Sequence, residues 1–234
     1  MASVKTQKEI LILKRAAMAG TAVFEQILPL IKAGVSEISI AKQMEEIAES
    51  LDGYGTYGGL SFPPIIASGP NGAEPHAVPS DRLFESGDLV TVDFGLVIDG
   101  YCSDMTRTFM LGEPTDKQRE VYGSVLRAQE AGLAAARPGI SCMELDRVCR
   151  SLIESDGYGE YFVHTTGHGI GTEVHESPRI GKDTELILEA GMAITIEPGI
   201  YIKDWGGVRI EDTIILTDDG NEIITSGISK DLII

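Results

Sequence analysis

Apolar and polar positions along the chain fall into a few recurring arrangements, and they predict most of the elements. An amphipathic pattern begins at residue 7 and predicts a long helix over about 7–32. A second long helix is predicted over about 116–136, opened by the capping-box pair Thr115 and Gln118. Glycine turns at Gly34 and Gly139 follow, and shorter helices are predicted over about 37–51 and 142–155, the latter capped by Ser141 with Glu144. Over 90–96 the period changes to two. Val90, Val92, Phe94 and Leu96 alternate with Thr91, Asp93 and Gly95, as in a half-buried strand. Asp99-Gly100 then predicts a two-residue hairpin loop that returns the chain along that strand. A further strand, AITIE, ends at Glu197, with GVRIEDTIIL (207–216) as its returning partner.

These elements are written twice. FESGDLVTVDFG (84–95) lies over LEAGMAITIEPG (188–199) at an offset of 104, and AGVSEISIAKQMEEIAES (33–50) lies over PGISCMELDRVCRSLIES (138–155) at 105. Both copies continue into Asp-Gly-Tyr-Gly. Two collinear matches at nearly one offset predict two homologous halves, roughly 5–110 and 115–225. Helices and hairpins come in blocks rather than as strand–helix–strand units, so the class expected is α+β with mainly antiparallel strands. No linker rich in Pro, Ser or charge separates the halves, and they are expected to share one sheet and one core. The 234 residues fit a single generous domain, 1–234.

The hairpin carries chemistry. With Asp99-Gly100 as the loop, Asp104 falls opposite Gly95, which makes Asp93 its diagonal neighbour on the same face, about 7–8 Å away. Two carboxylates held that close repel unless a cation lies between them. In the repeat Asp93 falls on Glu197, and Asp104-Met105-Thr106 matches Glu211-Asp212-Thr213, so Glu211 is the counterpart of Asp104. A lone acid in such a place reads as a surface strand residue. Two matched pairs facing the same way read as a site for two divalent cations of the Mn, Mg or Co type.

Composition narrows the picture. The 36 acidic and 19 basic residues leave a net charge of −17, which opposes binding to nucleic acid or an anionic membrane. Cys102, Cys142 and Cys149 form neither a disulfide framework nor a CxxC zinc pair. The N-terminus has no secretory hydrophobic region and no stretch approaches a membrane span, so a reducing, cytoplasmic location is expected. Only four histidines occur, His76, His164, His168 and His175, three of them in HTTGHGIGTEVHESP. Thr165 follows the first where a helical HExxH site needs Glu, and Gly167, Gly169 and Gly171 argue against a helix. GHGIG also lacks the full dinucleotide-loop pattern. A Gly-rich strand and turn that carries imidazoles towards the carboxylates is expected.

The set PNGAEPH, VDFG, YCSDMTRT, TTGHGIG, IEPG and GVRIEDT resembles the pita-bread metallopeptidases, within them the Xaa-Pro aminopeptidase and prolidase type, over about residues 7–225. That resemblance implies two pseudo-symmetric halves around a curved sheet with helices outside. It implies Asp93, Asp104, His168, Glu197 and Glu211 as ligands of two metal ions, Mn foremost, with Co, Zn and Fe acceptable, Asp104 and Glu211 bridging. It further implies attack on the scissile carbonyl by a water or hydroxide between the ions. Glu197 would shuttle protons, His175 would donate to the carbonyl oxygen, and His76 would place the substrate and its leaving proline nitrogen. His164 would line the proline side, and Arg209, sharing parity with Glu211, would support ligands or product. The partners implied are small proline-containing peptides, and the assembly a monomer or homodimer. The N-terminal domain usual in that family has no counterpart in these 234 residues.

A Xaa-Pro aminopeptidase is the preferred reading, because nothing obvious in the sequence caps the far side of the cleft; prolidase, the Xaa-Pro dipeptidase, is the alternative. Methionine aminopeptidase is disfavoured because only 13 residues separate Glu197 from Glu211. A non-catalytic binding relative is disfavoured because all five ligand positions are present, and a pure binder gains little from buried acids.

Overall fold

Side-chain caps set where the helices begin. The Thr6 hydroxyl accepts from the Glu9 amide while the Glu9 carboxylate accepts from the Thr6 amide, and α1 (Gln7–Ile27) starts there. It ends earlier than the pattern predicts. Pro29 lacks the amide that would continue the ladder, and Leu28–Leu30 tightens into a 3-10 turn. Ser36 caps α2 (Glu37–Ser50), and the two predicted capping boxes open α3 (Asp116–Ala135) and α4 (Cys142–Ser155). The computed structural model describes residues 4–233.

Residues up to 110 supply β1 (Tyr57–Leu60), β2 (Ile65–Ser68), β3 (Leu89–Phe94), β4 (Leu96–Ile98), β5 (Tyr101–Cys102) and β6 (Met105–Met110). The later residues supply β7 (Gly167–Gly169), β8 (Glu176–Ile180), β9 (Ala193–Ile196), β10 (Gly199–Ile202), β11 (Gly206–Arg209), β12 (Asp212–Leu216) and β13 (Asn221–Ile223). The two stretches repeat the same contacts at the expected offset. Gly34 donates to Phe84 O and Phe84 to Val35 O, while Gly139 donates to Leu188 O and Leu188 to Ile140 O. Gly34 and Gly139 both need a positive φ, +87° and +89°, to turn the chain into α2 and α4.

Strand pairing is antiparallel in every ladder, in the orders β1-β4-β5, β2-β3-β6, β10-β11 and β13-β12-β9-β7-β8. The Asp99-Gly100 hairpin has the register its sequence predicts, with Val97 on Cys102 and Asp93 on Thr106. Its two loop residues have φ of +49° and +83°, as such a loop requires. The predicted continuous strand is broken, however, at Gly95. A Cβ there would strike the Ser103 carbonyl, and the Gly95 carbonyl accepts from Ser61 N at 2.8 Å. The break sends β3 to β2 and β4 to β1.

The second hairpin breaks at the matching place. The pairs Ile196–Asp212 and Gly199–Arg209 on either side of its gap put Glu197 directly across from Glu211. In the first hairpin Asp104 sits across from Gly95, diagonal to Asp93. The two acid pairs are therefore related but not superimposable, since 13 residues separate the acids of one pair and 10 those of the other.

The expected single core is two main clusters. One gathers α1, α2 and the inner faces of β2, β3 and β6 around Phe24, Met44, Phe94 and Phe109. The other gathers α3, α4 and the later strands around Val125, Cys149, Ile196 and Ile214. Where the halves meet, the buried residues are polar instead: Asp93, Asp104, Thr106, Arg107, Arg209, Glu211 and Asp212. Their donors and acceptors must find partners there, which keeps the apolar clusters on the outer sides. Thr108 donates to Arg209 O and accepts from its amide, and Glu211 N donates to Thr106 O, stitching β6 to the segment between β11 and β12. The three cysteines are buried and form no disulfide. No helix among the described residues is long and apolar enough to cross a membrane.

Candidate metal centre

Every residue to which the sequence assigned a metal, catalytic or substrate role comes to one cleft of about 690 Å³, with Asp93, Asp104, Glu197 and Glu211 on its floor and all four histidines and Arg209 around them. Two glycines let β7 into the floor. A Cβ on Gly167 would strike Thr195 O, and one on Gly169 would lie 2.5 Å from Ser177 O. His168 rides between them on β7, its backbone amide held by Thr195 Oγ1 at 3.0 Å.

The His168 tautomer follows from its neighbours. Nδ1 lies 3.0 Å from Gly169 O, which can only accept, so Nδ1 carries a proton. Nε2 then points its other edge at Glu197 Oε1 (3.2 Å) and Asp104 Oδ2 (3.6 Å). One ligand atom from each of Asp104, His168 and Glu211 lies within 4.8 Å of the other two. Asp93 and Glu197 flank that trio, each near enough to shift its charges.

Electrostatics make the trio unstable as a set of bare anions. Burial pushes the Asp104 and Glu211 carboxyls well above the usual carboxylate range, and the charge of Glu211 adds to the first as that of Glu197 adds to the second. Asp93 is also pushed up by burial, against the pull of Arg209. Burial acts upwards on Glu197 too, but while His168 Nε2 also carries a proton, before a cation displaces it, the hydrogen bond and charge of that ring outweigh burial and hold the carboxyl at about 2. Asp93 Oδ1 and Glu211 Oε1 are buried with no hydrogen-bond partner among the described residues. An unsatisfied buried acceptor costs about 1–3 kcal/mol, more when charged. Four converging carboxylates, two orphaned oxygens and an imidazole lone pair fit divalent cations with oxygen-rich shells.

A hydrogen-bonded row supports this floor from one side. Arg209 Nη2 donates to Asp93 Oδ2 at 2.5 Å, Nη1 to Tyr201 Oη at 2.6 Å, and Nε to Thr106 Oγ1 at 3.2 Å. Thr106 in turn donates to Glu211 Oε2 at 2.6 Å. His164 Nδ1 faces Thr165 O, so its Nε2 accepts from the Tyr201 hydroxyl at 2.8 Å. Burial lowers the His164 pKa and so favours the neutral ring this row needs. Burial pushes the Tyr201 hydroxyl up to about 12, which keeps it a donor. Tyr201 fits because Gly199 and Gly207 lack side chains where its ring lies, at 2.8 and 2.9 Å from their would-be Cβ atoms.

His76 and His175 sit at the exposed rim, and the His175 ring packs edge-on against His168 with centroids 4.4 Å apart. Phe62, Pro63, Pro64, Val78 and Pro79 make an apolar wall.

Three residues with a place in this arrangement escape a reading of the sequence alone: Tyr201, Thr106 and Arg179. Tyr201 shares strand parity with Glu197, which is a usable signal. Arg179 lies opposite His168 in the β7–β8 ladder, lines the cleft, and has no ion-pair partner among the described residues. The register shifts between His168 and Gly169, and such an irregularity leaves no trace in sequence pattern.

The model of metallopeptidase family M24 matches residues 12–218. A Xaa-Pro dipeptidase of Pyrococcus furiosus is 45% identical over 226 residues, covering 95% of this chain and 63% of that protein. A solved Xaa-Pro dipeptidase from Bacillus anthracis superimposes with a TM-score of 0.94 at 48% identity, over 99% of this chain and 64% of the other. An X-Pro aminopeptidase from Thermotoga maritima gives 0.93 at 38% identity, over 99% and 64%. The chain thus spans less than two thirds of the length of these relatives.

Proposed function

The chain belongs to metallopeptidase family M24 and has its pita-bread fold, and from that premise we propose that it is a two-metal exopeptidase that splits Xaa-Pro dipeptides. The observation that carries the reading is the convergence of Asp93, Asp104, His168, Glu197 and Glu211 around two orphaned carboxylate oxygens, beside a wall rich in proline and other apolar side chains. Dipeptide cleavage takes the place of the aminopeptidase preference drawn from sequence. Relatives named Xaa-Pro dipeptidases match at higher identity than the named aminopeptidase, and Arg179 supplies a cation at the cleft wall.

The five residues would hold two divalent ions, which when bound lower the pKa of water and draw electron density from the scissile carbonyl. Mn²⁺ suits the oxygen-rich set, and Co²⁺, Zn²⁺ and Fe²⁺ also fit its donors. The protein's own groups do the rest. Glu197 takes a proton from the attacking water and passes it to the leaving proline nitrogen. His175 donates to the carbonyl oxygen as charge gathers there, and His76 holds the substrate at the opposite rim. The apolar wall receives the proline ring and excludes water from it. Arg179 pairs with the free carboxylate of the dipeptide, a charged contact that a longer peptide places elsewhere. Arg209 keeps Asp93 in place directly and neutral His164 through Tyr201.

Assay of a Xaa-Pro dipeptide beside a Xaa-Pro-Xaa tripeptide, with Mn²⁺, Co²⁺ and Zn²⁺ in turn, tests this. The dipeptide should be turned over at least about tenfold more efficiently, and Arg179→Met should raise its KM about 10- to 100-fold, the worth of one charged hydrogen bond. Preference for the tripeptide would return the chain to the aminopeptidases. No turnover of either peptide with any metal would remove the Xaa-Pro reading.

A further inference from the structure

His175 is carried by the turn between β7 and β8, and that turn is fastened to a residue from the other end of the chain. Glu176, which follows His175, folds its carboxylate back over the turn. Its Oε1 accepts from Thr172 N at 2.7 Å and from Glu173 N at 3.3 Å. Its Oε2 accepts from Lys5 Nζ at 2.5 Å. Lys5 lies just ahead of α1, and its own amide donates to Gly191 O at 2.8 Å. The Lys5 side chain is 5% exposed and that of Glu176 18%, so the pair is shielded from water rather than laid on the surface. Its approach needs the bare Gly171, whose would-be Cβ would lie 2.5 Å from Lys5 Nζ. Cys102 on β5 adds a second tie by donating its amide to Gly171 O at 2.7 Å.

The geometry points to Lys5 as a positioning residue for His175: the buried Lys5–Glu176 ion pair holds the 171–176 turn so that the His175 ring stays packed against His168. This rests on the dipeptidase reading for what His175 does, but not for where it is held. An exposed turn with a glycine at its start has little of its own to fix a side chain, and two backbone amides on one carboxylate oxygen shape the turn without anchoring it. Beside the Cys102 tie at Gly171, the ammonium is what anchors the Glu176 carboxylate. A group that donates to a developing negative charge loses much of its effect when displaced by about 1 Å, which can cost up to about a hundredfold in rate. An exposed ion pair would be worth too little to do this. Shielding makes this one strong enough to matter.

The test is a double-mutant cycle on the metal-loaded protein with a Xaa-Pro dipeptide, using Lys5→Met, His175→Gln and both together. We expect Lys5→Met to lower kcat about tenfold with KM changed less than twofold, and to cost nothing further once His175 is Gln. Lys5→Arg, which keeps the ion pair, should recover most of the loss. Additive losses in the double variant, or an unchanged kcat in Lys5→Met, would overturn the assignment. If Lys5→Met does not fold, Glu176→Gln carries the same cycle with the same expected outcomes. A second readout needs no peptide: the His175 Hε1 signal among the four histidines should shift or broaden in Lys5→Met, and an unmoved signal would equally overturn it. Wild-type protein that fails to cleave any Xaa-Pro peptide would instead fall on the functional reading, and the imidazole signal would still decide the role of Lys5.

Discussion

Glu211→Gln should lower kcat/KM for a Xaa-Pro dipeptide by about a thousandfold or more, while the metal-free variant melts no lower than metal-free wild type. The two halves of this expectation have one cause. Glu211 is buried, and its Oε1 meets no partner among the described residues. Its neighbours Asp104, Asp93 and Glu197 all carry or can carry negative charge. Without a cation, the charge of Glu211 is a cost to the fold, and a neutral amide of the same shape removes it. With cations bound as proposed, the same charge would help hold them, and the amide would leave a ligand missing. Thr106 Oγ1, which donates to Glu211 Oε2 at 2.6 Å, can turn to serve the amide oxygen, so the site need not collapse. Steady-state kinetics with saturating Mn²⁺ and a thermal melt in chelator check both halves. A variant that keeps wild-type turnover would show that Glu211 is no ligand.

Arg107→Met should cost about 3–5 kcal/mol of stability, the range found when one partner of a buried ion pair is removed. At about 2–4 °C per kcal/mol for a chain of this size, the Tm should fall by roughly 10 °C or more. Arg107 is 2% exposed and lies where the two halves meet. Its Nη2 donates to Asp212 Oδ1 at 2.8 Å, its Nη1 donates to Thr106 O at 2.9 Å and to Glu211 O, and its Nε donates to Ile228 O at 3.2 Å. One guanidinium thus ties β6, β12 and the C-terminal segment together. Removing it takes a donor from four backbone carbonyls, those of Thr106, Glu211, Thr225 and Ile228, and leaves Asp212 dependent on Lys230 Nζ, Gln129 Nε2 and Thr225 Oγ1. Burial acts to raise the Asp212 pKa, yet Arg107 and Lys230 together hold it below the usual carboxylate value, so the ion pair is formed at neutral pH. Chemical denaturation at pH 7 measures the loss, and a change under 1 kcal/mol would mean that the halves are held by other contacts.

Local chemistry was the legible part of this molecule. Thr115 with Gln118 and Ser141 with Glu144 fix helix starts through bonds three residues long, and Asp99-Gly100 fixes a register through the φ angles of two residues. Because that register was right, the nearness of Asp93 and Asp104 could be worked out before any coordinates. The repeat then carried the argument to Glu197 and Glu211. What stayed hidden depends on which distant surfaces meet. Gly95 breaks its strand because Ser103 O packs against it, and alternation of apolar residues runs straight through that break. The core divides because polar residues fill the seam between the halves, which a periodicity cannot show. Tyr201 reaches the cleft through a hairpin whose turn carries no Asn-Gly or Asp-Gly signal, Arg179 through a ladder whose register shifts at His168–Gly169, and Lys5 reaches Glu176 across 171 residues of chain.

Isothermal calorimetric titration of the metal-stripped protein with MnCl₂ tests the central claim most directly, because it needs no assumption about the substrate. Convergence of Asp93, Asp104, His168, Glu197 and Glu211 predicts two Mn²⁺ bound per chain, and a lower stoichiometry or affinity for Glu211→Gln. Failure of the wild-type protein to bind Mn²⁺, Co²⁺ or Zn²⁺ in that titration, or binding that Glu211→Gln leaves untouched, would contradict it.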